Sequence, residues 1–424
     1  MVGVDDIVIT GIGCVTSIGI GREAFTQGLR DGKSAVRAVN ETGEDRRTIY
    51  AAPVTEFEGK QYVKPRKALK VMSPEVQMAY SAAQLAWRDA GLEEAELESD
   101  RLGVIYGSEL IPGNLDDLVG GVKACVENGE LDHSRWGQNF EKQVYPLWML
   151  RNLPNMPACH VGIAIDARGP NNTIAQEEVS GLLALQEAAL MIDCGRADLI
   201  VVGGMGNRCA PSRLTHCWRD HCDQHPFNSS SHDSPRCRPF AADSHGIVAG
   251  SGAGALILER RSHAVRRGAQ VLARYHGGAN RCAAPQTKYG GSRVSSQLAI
   301  EAALADAEIE ASNLDHINAQ GFAYRGLDIE EAAAIEASVG SSPVTAFSPR
   351  IGTAGAGCGI LELLADLVGM QEKRRFGMLR HPGASVDCKL QLCLEDAKTD
   401  SPYFLKHSFT PLGHAAAVVI ESEV

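Results

Sequence analysis

Aromatic residues make up only 5% of this 424-residue chain, and no apolar run reaches the ~18 residues that a membrane-spanning helix needs. A membrane-spanning helix is therefore not expected. Positive charge is also short: 41 Lys and Arg stand against 52 Asp and Glu, a formal net charge of −11. That balance argues against a general nucleic-acid surface. The first residues hold no basic stretch followed by an apolar signal core; a strand over 7–12 is expected almost at once. The 12 cysteines are scattered without a compact framework, which suits free thiols in a reducing compartment, so a cytoplasmic protein is expected.

What the chain has in quantity is glycine, 44 residues, within a composition that is 44% hydrophobic. At ~150 residues per domain its length predicts two or three domains. Short apolar runs that end in glycine alternate with segments of helical spacing, the pattern of repeated β-α units. In the first half this predicts helices over 72–90 and 179–192 and buried strands over 101–108, 197–204 and 255–258. The second half restarts at 271–277. A helix is expected over 292–307, a strand over 315–319 and a helix over 329–338, with closing strands over 390–394 and 415–420. The halves join near 259–268, giving units of 1–262 and 263–424. The fold class is α/β.

The most informative stretch runs from Gly169-Pro170-Asn171 to Glu178-Val179-Ser180-Gly181. It resembles the nucleophile turn of the β-ketoacyl synthases, condensing enzymes of the thiolase fold, in which a Gly-Pro-Asn strand leads to a Cys that opens a buried helix. Gly-Pro-Asn, Ser180 and Gly181 match; the Cys position holds Glu178. Other stretches match in order: Val8 to Gly13 with Ser17-Ile18-Gly19, Gly32 to Ala35, Arg101 to Ser108, Asn155 to Val161, and Arg238-Pro239-Phe240 with Gly250-Ser251-Gly252-Ala253-Gly254, where Ser251 replaces a Glu. The resemblance implies a thiolase-like fold, two duplicated α/β halves in a five-layered α-β-α-β-α arrangement.

The same resemblance implies stations for two histidines that help decarboxylate a malonyl unit and stabilise the enolate and oxyanion, with a nearby Lys and Glu holding the network. Asn318-Ala319-Gln320-Gly321 puts Gln320 at the first His, and the run from Phe347 to Thr353 puts Ser348 at the Lys and Thr353 at the second His. Asp328 and Glu331 are retained acids. The C-terminal glycine loop reads His407-Ser408-Phe409-Thr410-Pro411-Leu412-Gly413-His414, its flexible centre replaced. A thiolate attacks a thioester because it is soft and nucleophilic. A carboxylate forms no stable thioester. Loss of one member of a catalytic set costs on the order of 10³-fold in rate, so ordinary Claisen condensation is not expected of this chain.

Three readings stay open. The first is a non-condensing partner like the chain-length factors of type II polyketide synthases, synthase-like subunits that lack the Cys and pair with an active synthase. In it Glu178 is a structural anion at a helix N-terminus. The second is an altered acyl-transfer enzyme or malonyl-carrier decarboxylase. Glu178, beside Glu177 and Gln176, acts there as a base of raised pKa, Gln320 donates to an oxyanion, and His407 or His414 supplies a proton. The third is an acyl- or carrier-binding scaffold without turnover. Partners implied are an acyl carrier protein and a dimer mate, either a catalytic paralogue or the chain itself. No cofactor is implied.

Arg66, Lys67 and Lys70, with Lys64, match basic positions at which the family receives the acidic helix of the carrier; a solvated basic turn is the plain alternative. Arg260, Arg261, Arg266 and Arg267 read as a solvated linker helix. The loop from His216 to Cys237 is rich in His and Cys but fits no zinc spacing, so no metal is assigned. Cys358 and Cys159 read as packed residues rather than nucleophiles.

Overall fold

The computed structural model describes residues 5–39, 48–111, 113, 116–214, 229–230, 237–244, 246–285, 290–379, 381–385 and 388–423. Ten strands form its framework: β1 (Ile7–Thr16), β2 (Leu102–Ser108), β3 (Asn171–Ile174), β4 (Leu199–Asn207), β5 (Ala249–Arg260), β6 (Ala273–Cys282), β7 (Leu314–Asn318), β8 (Val344–Thr345), β9 (Tyr403–Phe409) and β10 (His414–Ser422). The first five are ordered β3-β2-β4-β5-β1 and the second five β8-β7-β9-β10-β6. In both sets the first two pairings are parallel and the last two antiparallel. One topology has been used twice. The sets are joined where Ile7 to Ile9 of β1 pair with Ala273 to Tyr275 of β6.

Six helices complete the layers: α1 (Pro74–Asp89), α2 (Met156–Ala164), α3 (Ser180–Asp193), α4 (Arg293–Asp306), α5 (Arg325–Val339) and α6 (Cys358–Gln371). Helix α1 packs on β1, β4 and β5, and α2 on β2 and β3; α4 covers β6, β9 and β10, with α5 against it. Helices α3 and α6 touch each other and strands of both sheets, so they form the middle of five layers. The sequence marks this. All residues of α6 from Cys358 to Met370 are buried, as an all-round apolar helix between two sheets requires. The outer α1 has a polar side, begins at Pro74 and is capped by Ser73, whose oxygen accepts from the Val76 N–H. Strands β2 and β4 read as continuous apolar runs because both faces are covered.

Close approach of layers fixes some glycines. A Cβ on Gly107 of β2 would lie 2.5 Å from the backbone of Ser180 and Gly181, so only glycine lets α3 begin against that strand. No helix among the described residues is long and apolar enough to cross a membrane.

Two expectations need correction. Residues 390–394 make only an isolated bridge, Leu392 to Val344; the neighbouring central strand is β9, over residues expected to end in a loop. The basic stretch after β5 is not simply solvated: Arg267 pairs with the buried Glu259, and Arg261 with Asp6 and Glu423, tying the start and end of the chain together.

Between the sheets lies an ion pair with no exposed atom: Lys406 of β9 sits 2.5 Å from Glu362 of α6 and also reaches the carbonyls of Asn318 and Ala319. Removing one partner strands the other. Lys406→Met is expected to lower unfolding stability by about 3 kcal/mol, measured by urea denaturation, and Lys406→Met with Glu362→Leu to recover most of it. A single variant as stable as wild type contradicts this role for the pair.

Candidate functional site

Strand β3 runs into a short 3-10 turn, Glu177–Val179, and then α3. Ser180 pins that turn: its hydroxyl donates to the Glu177 carbonyl at 2.6 Å and accepts the Gln176 N–H at 2.8 Å. Glu177 takes a left-handed backbone, φ +52°, costly for a residue with a side chain, and is exposed. The next residue turns inward, and Glu178 is 1% exposed.

Its carboxylate does not cap α3: Val179 stands at the N-cap, without a side-chain bond. Glu178 Oε1 instead lies 2.5 Å from Nη1 of Arg208, just beyond β4. The Nε of the same guanidinium is 3.1 Å from Glu109 Oε1. Glu109 is itself buried and lies over Gly355, where a Cβ would come within 1.8 Å of its oxygen. Two buried carboxylates thus share one arginine. Burial pushes the Glu178 carboxyl up to about 7; Arg208 pulls it down, while Glu177 and Glu109 add to the rise. Desolvation outweighs the guanidinium, as it outweighs Lys406 at Glu362, whose carboxyl burial also pushes up to about 7.

The second half supplies the other stations. Gln320 follows β7, and its backbone N–H and that of Gly321 donate to the two oxygens of Glu331, on α5, at 2.7 and 2.9 Å. Ser348, in the short helix Ser348–Ile351, donates to the Gly321 carbonyl at 2.6 Å and so ties the lysine station to the first-histidine turn. Thr353 bridges to Ala249 of β5. His407 of β9 is fully buried with Nδ1 2.8 Å from Glu331 Oε1. Glu178 joins this region through its turn, which packs against β9 and α6. His414, at the start of β10 beside Cys282, is half-buried, and no hydrogen bond among the described residues joins its side chain to the cluster.

Four participants escaped sequence reasoning. Arg208 and Glu109 follow strands and carry no motif. Lys406 and Glu362 left a signal, since a lysine inside a buried strand and a carboxylate inside an all-apolar helix both require a partner. Cys358 is buried at the start of α6, accepts the Ala354 N–H through its sulfur, and has its thiol pushed well above the ordinary range by burial, with Glu362 and Glu178 adding to the rise. It is no substitute nucleophile.

A cavity of about 630 Å³ lies beside this cluster, lined by Met78, Ile111, Asn207, Cys209 and Ser251 among others. In its wall Asn207 donates to Glu75 at 2.8 Å, and Ser251 accepts the Val54 N–H. Arg66, Lys67 and Lys70 are exposed on the 3-10 helix Arg66–Val71 that precedes α1. Most of the His- and Cys-rich loop lies outside the described residues, and among those described no His, Cys, Asp and Glu group has metal-ligand geometry.

The raised Glu178 carboxyl has a signed consequence for stability. Below about pH 4.5 it is protonated in folded and unfolded chains alike and contributes nothing. Between 4.5 and about 7 the unfolded chain ionises first, so wild type loses stability as pH rises. Relative to wild type, Glu178→Gln should gain roughly 3 kcal/mol of unfolding free energy from about pH 4 to about pH 8. Paired urea melts across that range test this; a flat difference contradicts it.

Residues 4–264 match the family description "Beta-ketoacyl synthase, N-terminal domain" and residues 272–376 "Beta-ketoacyl synthase, C-terminal domain". The 3-oxoacyl-[acyl-carrier-protein] synthase 2 of Vibrio harveyi is 27% identical over 410 residues, covering 91% of this chain and 94% of that protein. A beta-ketoacyl synthase from Burkholderia phymatum superposes with a TM-score of 0.84 at 25% identity, covering 99% of this chain and all of that one. The ishigamide ketosynthase/chain length factor gives 0.84 at 23% identity over 99% of this chain and 100% of that one. A structure of a type II polyketide acyl-carrier protein in complex with its ketosynthase gives 0.82 at 23%, over the same shares. With both domains matched in order on the duplicated five-layer fold, the chain belongs to the β-ketoacyl synthase family of fatty-acid and polyketide synthesis.

Proposed function

We propose that this chain acts as a non-condensing subunit that pairs with an active synthase and shapes its acyl product, in the manner of a chain-length factor. The observation that carries the reading is the Glu178–Arg208–Glu109 cluster at the nucleophile turn. An attacking group there must form a bond to the thioester carbon. Glu178 is an anion tied to a guanidinium or, once protonated, a neutral acid, and neither form yields a stable acyl-enzyme. Gln320, Thr353 and Ser348 occupy the other stations. The likeness in fold to a ketosynthase/chain length factor is consistent with this role.

The partner face is proposed along β3, the terminal strand of the first sheet. Strand β3 is partly exposed, and Ile163 and Leu190 on the flanking helices α2 and α3 are 80% and 55% exposed. A second synthase-fold chain that adds its own edge would cover these groups and continue the sheet. The exposed Arg66, Lys67 and Lys70 are proposed to steer an acidic carrier protein to the pair. The domain division at 262/263 is proposed on the sheet repeat.

One observation favours a second reading. A carboxyl poised near neutrality is suited to proton transfer, so Glu178 as the acid or base of a malonyl-carrier decarboxylation is the alternative. Purification from the native host under mild conditions separates the two. Equimolar co-purification with an active synthase, whose condensation requires this chain but is unchanged by Glu178→Ala, is the expected result. A homodimer without a synthase contradicts it, and carbon dioxide release from malonyl-carrier that Glu178→Ala abolishes favours the second reading. A chain that holds carrier or acyl group with neither synthase nor turnover is the binding scaffold of the third reading.

A further inference from the structure

Beside β3, where the two halves meet, runs a groove of about 730 Å³. Its floor is apolar: Ile174 at the end of β3, Leu183 and Leu190 on the open side of α3, and Ile7 and Tyr275 where β1 pairs with β6. Its rim is acidic, with Asp5 and Asp6 ahead of β1, Glu187 and Asp193 on α3, and Asp306 at the end of α4. The groove is continuous with the edge of the first sheet, because the Asn172 amide of β3 donates to both oxygens of Glu187, at 2.9 and 3.0 Å. An apolar floor left open beside a terminal strand marks a contact surface.

Charge selects the occupant. Glu187 is held by a neutral amide, Asp5 by the N–H and hydroxyl of Ser262, and Asp306 by the Gly278 N–H. The Asp193 carboxylate has no side-chain partner among the described residues. Of the rim acids only Asp6 is ion-paired within those residues, to Arg274 at 3.0 Å and to Arg261. His276, the one histidine in the lining, is turned to Glu421 at 2.7 Å. Four carboxylates over an apolar floor thus lack a counter-charge. A segment that is apolar in body and cationic at its tip, as lysine and arginine side chains are, supplies both needs. A second copy of this chain does not, because an isologous interface sets one patch against itself and brings the same acids to the same edge twice. We propose that this groove seats a Lys- or Arg-bearing segment of a partner synthase, and that its acid rim selects that partner over a second copy of this chain. The inference rests on the subunit role proposed above and names what the partner must carry there.

The test compares the purified full chain with a neutralised variant, Glu187→Gln with Asp193→Asn, and a charge-reversed variant, Glu187→Lys with Asp193→Lys; a melt checks that each folds. In sedimentation at about 50 mM salt the neutralised variant is expected to self-associate at least about tenfold more tightly than wild type, and the gap to close at about 500 mM, where screening is strong. A tagged charge-reversed copy serves as the basic probe, and wild type should bind it at least about tenfold more tightly than it binds itself at the lower salt. On purification from the native host, the charge-reversed chain should lose the active synthase, identified by its condensation, that wild type retains. Self-association of wild type as tight as that of the neutralised variant at the lower salt seats a second copy in the groove and overturns the proposal. So does equal binding of wild type to itself and to the basic probe. A synthase retained by the charge-reversed chain also overturns it, and leaves the subunit role standing. If wild type brings down no synthase while the neutralised variant still self-associates more tightly, the acid rim keeps its effect on self-pairing and the subunit role falls.

Discussion

A polar group between the two sheets has no water to turn to, and the character of this chain follows from that constraint. Helix α6 is buried along its length, and Glu178 and Glu331 are buried beside the turns after β3 and β7, so each of these charges needs a partner within the protein. Glu178 finds Arg208, Glu362 finds Lys406, and Glu331 finds His407 with two backbone amides. The three settlements differ. Lys406 and Glu362 match one to one and hold the layers together. Arg208 is divided between two acids, and burial holds the Glu178 carboxyl near neutrality, as it does that of Glu362. Glu331 is fully engaged, and Nε2 of His407 has no partner among the described residues.

Family membership and the proposed loss of condensing chemistry are parts of one description. The repeated topology places an inward turn after β3, pinned by Ser180, and another after β7, tied by Ser348. What changed is the group at each turn. A carboxylate tied to a guanidinium is poorly suited to attack a carbonyl, yet it fills and fixes the turn, which is what the proposed partner subunit would need of it. The exposed edge β3, with Ile163 and Leu190 beside it, is where such a partner is proposed to sit.

Much of the fold was legible because the layers write themselves into the pattern: continuous apolar strands where both faces are covered, an all-apolar α6, and a Ser-Pro start for α1. Strand β9 was less legible, because Lys406 and His407 interrupt its apolar character and only their buried partners explain them. The run over 390–394 misled in the opposite sense, apolar enough for a strand but reduced to one bridge. At the site, the stations of Glu178, Gln320, Ser348 and Thr353 could be read from flanking motifs. Arg208 and Glu109 could not, since their role depends on distances across the sheet that no local pattern encodes. That is also why Glu178 was expected to act as a helix cap.

The central claim is that this chain forms no covalent acyl-enzyme. Intact-protein mass spectrometry of the chain, purified alone or with its synthase and incubated with acyl- and malonyl-carrier protein, tests it directly. The expected result is an unchanged mass for this chain, with any acyl group found on the partner. An acyl adduct that survives on this chain and maps to the segment around Glu178 would contradict it.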